Sequence, residues 1–195
     1  MTPTTAELRR RMRAARRTVP RRESERVARV VARKLSALDL LRSGERVAIY
    51  VPMRGEIPTE PLIRLASERG CRLYLPRITS ERARRMTFAP MRGPWRRSSY
   101  GIPEPASLAG SLSARWMDVV ILPLVAFDAA GTRIGGGTGY YDRALHHLKL
   151  RGSWRKPRTV GVAFDLQRVP AIVRKPWDVP MELVVTERHV YRTGA

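Results

Sequence analysis

The stretch MDVVILPLVAFD, residues 117–128, limits what this chain can fold into more than any other. It is almost continuously apolar, and half of its residues are valine, isoleucine or leucine. A strand puts successive side chains on opposite faces, so a strand of this composition is buried on both. Strands of that kind lie inside sheets covered by helices on either side.

The rest of the chain supplies such a setting. ERVAIYVP (45–52), CRLYLPRI (71–78), TVGVAFD (159–165) and ELVVTE (182–187) read as strands, with MTFAPM (86–91) a shorter one. TEPLIRLASERG (59–70) reads as a helix with Thr59 as N-cap, Pro61 in the first turn and Gly70 as the stop. Residues 138–151 read as another helix. Two further helices lead the chain. Residues 4–17 are strongly basic, with Leu8 and Met12 as apolar anchors, and fit either a solvated helix or a disordered arm. In residues 18–41, Val27, Val30, Val31, Leu35 and Leu38 recur at helical spacing, with Thr18 or Ser24 as the cap and Pro20 near the first turn. Residues 92–115 read as a long irregular connection. The alternation predicts a three-layer α/β/α domain over residues 1–195, with a mostly parallel, mixed central sheet and N-terminal helices.

Composition narrows the function. No apolar run reaches the roughly 20 residues of a membrane span. The N-terminal segment lacks the apolar core of a secretory signal, so a cytoplasmic location is expected. Cys71 is the lone cysteine, which excludes an internal disulfide and a multi-cysteine metal site. The net charge of +21 suggests an anionic partner. Only Lys34, Lys149, Lys156 and Lys175 are lysines, however, and the arginines are spread along the whole chain. That pattern also fits the arginine bias of a GC-rich genome.

Directly after the buried strand comes AAGTRIGGGTGYYDRAL, residues 129–145. In open α/β sheets ligands bind beyond the carboxyl ends of strands. Glycines let the main chain approach an anion, and free amides at a helix start suit phosphate. Arg133 would add a planar donor fork and Asp142 a carboxylate for magnesium. The spacing is neither that of a dinucleotide fingerprint nor that of a P-loop. A tight turn that packs Tyr140 and Tyr141 into the core is the competing reading. Trp116 and Trp177 are expected in the core. His146 and His147 are expected to be structural, since no partner ligands stand at metal spacing.

The segment ILPLVAFDAAGTRIGGGTGYYDRAL (121–145) resembles the signature of the 5-formyltetrahydrofolate cyclo-ligase family. LRRRMRAARRTV, IYVPMRGEIPTEPLI, YGIPEP and WDVPMELVVTE resemble its other segments, in the same order. The resemblance implies an ATP- and magnesium-dependent ligase of one-carbon metabolism. It converts 5-formyltetrahydrofolate, possibly carrying a polyglutamate tail, into 5,10-methenyltetrahydrofolate, with ADP and phosphate released. The formyl oxygen is phosphorylated, N10 closes the ring and phosphate leaves.

Carried over by position, the resemblance implies that Arg9, Arg133, Ile134, Gly135, Gly136, Gly137, Thr138, Gly139, Tyr140 and Tyr141 line ATP. It places Arg9, Val51, Glu56 and Gly136 through Tyr140 on the folate, and magnesium on Asp142 and Asp178. Arg133, Tyr140 and Asp142 are then the expected catalytic residues. Two family lysines are replaced here, by Thr5 and Thr138, with Arg10 or Arg11 as candidate substitutes in charge. A monomer is expected. The alternative is a catalytically reduced relative that binds RNA or another polyanion through its basic surface; no RNA-recognition aromatic motif supports it. An enzyme for sugar phosphates or coenzyme A on a similar scaffold is a third reading.

Overall fold

The computed structural model describes residues 3–150 and 156–193. Its elements are α1 (Thr5–Arg17), α2 (Arg21–Ala37), β1 (Arg46–Ala48), α3 (Glu60–Glu68), β2 (Arg72–Ser80), β3 (Arg85–Pro90), β4 (Trp95–Arg97), β5 (Pro103–Pro105), β6 (Val119–Pro123), β7 (Ala126–Phe127), β8 (Arg133–Ile134), α4 (Tyr140–Ala144), β9 (Arg158–Val162), β10 (Leu183–Val185) and β11 (Val190–Arg192). Seven strands form one sheet in the order β11-β10-β9-β6-β1-β2-β3. The inner five are parallel, while β3 and β11 run antiparallel at the edges. The mixed, mostly parallel sheet expected from the sequence is therefore present.

Both faces of the inner strands are apolar, and the alternation is regular. Val47, Val119, Ile121, Leu183 and Val185 point to the face covered by α2 and α3. Ala48, Val120, Leu122 and Val184 point to the other, where Leu145, Leu148, Val179 and Met181 close over them. Full burial of each large aliphatic side chain contributes about 1.5–3 kcal/mol, so these two layers carry most of the fold. The second layer is thinner than the first. Residues 138–151 were expected to be one helix, but α4 covers five residues and gives way to a 3₁₀ turn over His146–Lys149; Arg151 lies outside the described residues. Among the described residues, no helix is long and apolar enough to cross a membrane.

Side-chain capping explains the start of α1 but not that of α2. Thr4 Oγ1 accepts from the Glu7 amide, and the Glu7 carboxylate accepts from the Thr4 amide, which makes a complete capping box for α1. α2 starts from Pro20 without a side-chain cap, so neither Thr18 nor Ser24 serves. α3 stops where expected. Gly70 takes φ +74°, and the Cys71 amide reaches back to the Ala66 carbonyl.

The long strand read over 117–128 is broken. β6 ends at Pro123, which offers no amide to a ladder. The chain then turns into a separate hairpin, β7–β8. Residues 92–115 likewise hold a small hairpin, β4–β5.

Candidate functional site

The position of the site follows from the strand order. After β1 the chain crosses to β2 on one side, and later returns to place β6 on the other. Between β1 and β6 the winding reverses, which opens a crevice at their carboxyl ends. The loop after β1 brings Val51 and Glu56 to that edge, and the β7–β8 hairpin brings the glycine loop.

α1 lies across the same edge. Leu8 and Met12 pack with Val125, Ala126, Ile134 and Val169 in a small cluster apart from the two main cores. That contact turns the neighbouring stripe of the helix, Arg9, Arg13 and Arg16, onto the crevice. Arg9 Nε donates to the Gly135 carbonyl at 3.0 Å and Arg13 Nη2 to the Gly136 carbonyl at 2.9 Å. Buried Arg16 donates from Nη1 to the Leu124 carbonyl at 2.9 Å. Arg10 and Arg11, considered as stand-ins for the missing lysines, are exposed, and Thr5 and Thr138 are exposed as well.

The glycine loop is drawn to α1 by its carbonyls, and this frees its amides. None of the amides from Gly136 to Asp142 has a main-chain acceptor among the described residues. Gly137 at φ +107° and Gly139 at φ +74° are in conformations that suit glycine. A side chain at Gly139 would also come within 2.9 Å of Arg143 Nη1.

Arg133 departs from expectation. It does not present an open fork at the loop, because its side chain is 4% exposed. One guanidinium nitrogen donates to the Val179 carbonyl, and the other to Asp142 Oδ1 at 2.5 Å. A buried guanidinium needs acceptors, and here it finds them inside the protein. The result ties the start of α4 to the segment that follows Asp178. The Asp178 carboxylate accepts from the Lys175 amide at 2.8 Å, as a turn-capping residue does. Among the described residues, no group of three or more His, Cys, Asp or Glu side chains gathers as a metal would need. Asp142 and Asp178 each keep one carboxylate oxygen without a partner among the described residues, and magnesium can bind through one or two carboxylates with phosphate oxygens and water.

Glu56 is enclosed, with its side chain 12% exposed. It accepts from the Met53 amide at 3.0 Å and stands 3.8 Å from Arg16 Nη1. Burial pushes its carboxyl above the ordinary value, against the Met53 amide and the nearby Arg16 and Arg13 charges. Burial, then proximity to Glu56, pushes up the phenols of Tyr50 and Tyr141. Tyr50 is anchored by donating to the Ile57 carbonyl at 2.8 Å. Arg16 Nε is buried and has no acceptor among the described residues. Val51 is half-buried beside this cluster. Beyond it, an open cleft of about 960 Å³ runs between α1, α2 and α3, with Arg17, Arg29, Arg33 and Arg54 among its walls.

Tyr140 meets the ring of Tyr100 edge-on, with centroids 6.4 Å apart. Its phenol is pushed up to about 12 by burial and by its bond with Tyr100. Trp116 and Trp177, expected in the core, are 52% and 58% exposed. Sequence reasoning missed Arg13, Arg16, Tyr50 and Tyr100. The spacing of Arg9, Arg13 and Arg16 on one helix face was there to be read, and Tyr100 opens the YGIPEP segment without being singled out there.

The chain matches the sequence profile of the 5-formyltetrahydrofolate cyclo-ligase family over residues 1–187. It is 35% identical over 150 residues to the 5-formyltetrahydrofolate cyclo-ligase of Escherichia coli, a match covering 74% of this chain and 79% of that one. With the mouse (Mus musculus) enzyme of the same name it shares 28% identity over 193 residues, 93% of this chain and 91% of that one. Among solved structures it superposes on the 5,10-methenyltetrahydrofolate synthetase of Aquifex aeolicus with a TM-score of 0.81 and 30% identity, covering 97% of this chain and 92% of that one. The synthetase of Mycoplasma pneumoniae, 20% identical with a TM-score of 0.74 over 95% of this chain and 99% of that one, shares the fold. With the profile matched over residues 1–187 and relatives this similar over most of its length, this chain belongs to the 5-formyltetrahydrofolate cyclo-ligase family.

Proposed function

We propose that this chain closes 5-formyltetrahydrofolate to 5,10-methenyltetrahydrofolate at the β1/β6 crevice, at the expense of ATP. The formyl oxygen attacks the γ-phosphorus and ADP departs. The N10 lone pair then attacks the formyl carbon, the carbon–oxygen bond breaks, phosphate carries the oxygen away, and N10 loses its proton. An amide oxygen is a poor leaving group, so phosphorylation supplies the departure that ring closure needs. Transfer of a phosphoryl group asks mainly for positioning and charge neutralisation.

One observation carries this reading. The glycine loop turns its carbonyls toward Arg9 and Arg13 and leaves the amides from Gly136 to Asp142 without main-chain partners. That is a row of donors suited to phosphate oxygens. Ile134 ends the hairpin beneath the row, and Thr138 stands within it. Glu56 accepts hydrogen bonds from the pterin N–H edge, with Val51 against the ring. The edge-on pair Tyr100–Tyr140 and the half-buried Tyr141 border the aromatic part of the ligands. The cleft beyond Glu56 suits the carboxylates of the glutamate tail. Magnesium, held by Asp142 and Asp178 together with phosphate oxygens, would neutralise the charge that builds on the transferred group. Arg133 acts on Asp142, holding that carboxylate in place from behind.

The test is absorbance of the methenyl product with purified protein, ATP, magnesium and 5-formyltetrahydrofolate. ADP release should depend on the folate. ADP formed without folate, or no product with every component present, would refute the assignment.

A further inference from the structure

We propose that Arg13 is a nucleotide-contact residue. It engages the outer phosphates and makes the site prefer di- and triphosphates over a monophosphate. The proposal rests on the ATP reading above and names a residue that reading did not include.

The geometry carries it. Arg13 Nη2 is bonded to the Gly136 carbonyl at 2.9 Å, so the guanidinium is held at the loop's mouth although the residue is exposed. Its Nε and Nη1 have no acceptor among the described residues. Gly136 has no side chain to separate it from the loop; a Cβ there would lie 4.0 Å from Arg13 Nη2. Arg9 approaches from the preceding turn, with its guanidinium carbon 3.7 Å from where a Cβ of Gly137 would lie. Arg143 stands at the other end, with Nη1 3.5 Å from the Gly139 carbonyl.

Among the described residues, neither Arg9 nor Arg13 has a carboxylate within 4.0 Å. Carbonyl dipoles hold these cations in position without neutralising them. Burial and the Arg13 charge push the Arg9 guanidinium below its ordinary value, and burial, with Arg13 and Arg17, does the same to Arg16 against the pull of Glu56. The row is therefore like-charged and self-repelling beside a row of free amides, an arrangement that a polyanion relieves. Arg133 cannot supply this charge, since its fork is taken by Val179 and Asp142. Thr138 within the loop is neutral. Charge at the loop then comes from Arg143 at one end and from α1 at the other, where Arg13 shares with Arg9 both a fixed position and free donors.

Isothermal titration of the full chain with MgATP, MgADP and AMP, at low and moderate salt, tests it. Arg13→Gln should weaken MgATP binding about tenfold, leave AMP binding within about twofold, and flatten the salt dependence of MgATP affinity. Arg13→Lys should keep most of the affinity, and Arg10→Gln all of it. Far-ultraviolet circular dichroism confirms that α1 is still folded. Unchanged MgATP affinity in Arg13→Gln would overturn the proposal. So would an equal loss for MgATP and AMP with the salt dependence intact, because Arg13 would then only staple the loop. If the native chain binds no MgATP, the ATP reading fails first and takes this proposal with it.

Discussion

Two enclosed arginine–carboxylate assemblies in this molecule are finished to different degrees. Arg77 donates to the Pro105 carbonyl at 3.0 Å, the Ile78 carbonyl at 2.7 Å and Glu104 Oε1 at 2.8 Å, while Arg96 Nε meets the same carboxylate at 3.0 Å. That assembly pins the β4–β5 hairpin to β2, with Arg77 Nε and Nη1 both bonded and the Glu104 carboxylate shared by two arginines. Arg16 and Glu56 are similarly enclosed, yet they stand 3.8 Å apart, beyond a hydrogen bond, and Arg16 Nε has no acceptor among the described residues. Buried polar groups in a native fold are normally satisfied, so one left incomplete calls for an explanation. Here the completed assembly holds structure together, and the incomplete one fits the folate contact proposed for Glu56.

The contrast breaks most visibly at Glu104. Glu104→Ala leaves Arg77 enclosed without its counter-charge and should cost about 3–5 kcal/mol, read as a lowered denaturation midpoint. A loss under about 1 kcal/mol would mean that the hairpin is held by other contacts. Next in size is Asp142→Asn, which keeps an acceptor for Arg133 and removes the charge. Turnover should fall roughly a hundredfold while circular dichroism stays native; full turnover would remove Asp142 from the mechanism.

Glu56→Gln sharpens the contrast because stability and function should move in opposite directions. Burial raises the Glu56 carboxyl in the folded chain above its ordinary 4.5, so the folded state holds this proton more tightly than the unfolded one. Its contribution to stability is complete below the ordinary value and is lost as pH rises through the raised folded value. A glutamine does not ionise. The variant should therefore melt higher than the parent at neutral pH, with the gap closing in acid, while KM for the folate rises about tenfold. A lower melting temperature at neutral pH would show the Arg16–Glu56 pair to be a net stabiliser. Smallest of all, Arg21→Ala removes an exposed pair with Glu25. It should leave both the melting temperature and turnover unmoved.

Legibility in the sequence tracked the range of the interactions. The layered fold could be read because β1, β6 and β10 are apolar on both faces, a local property of each strand. The α3 boundaries could be read because Pro61 and Gly70 act on their own neighbours. The break after Pro123 was harder. The Leu124 carbonyl that leaves the sheet is satisfied by Arg16 and by Gln167, side chains far away in sequence. The β4–β5 hairpin was missed for a similar reason, since three-residue strands carry no period and this one is fixed by Glu104 reaching Arg77. At the site, the glycine loop and Glu56 stood out through the family signature. The engagement of Arg133 with Val179 was invisible, because it depends on a main-chain carbonyl 46 residues away.

The separate seating of α1 has one more consequence. Its apolar anchors, Leu8 and Met12, belong to neither main core, and the rest of its hold on the crevice is through three main-chain carbonyls and the loose Arg16–Glu56 pair. Local opening of a segment costs less than global unfolding when few apolar contacts must be broken. Detachment of this one helix would take Arg9, Arg13 and Arg16 from the crevice while leaving the sheet standing. Loosening of α1 would thus take the proposed site apart while the two main cores stay packed.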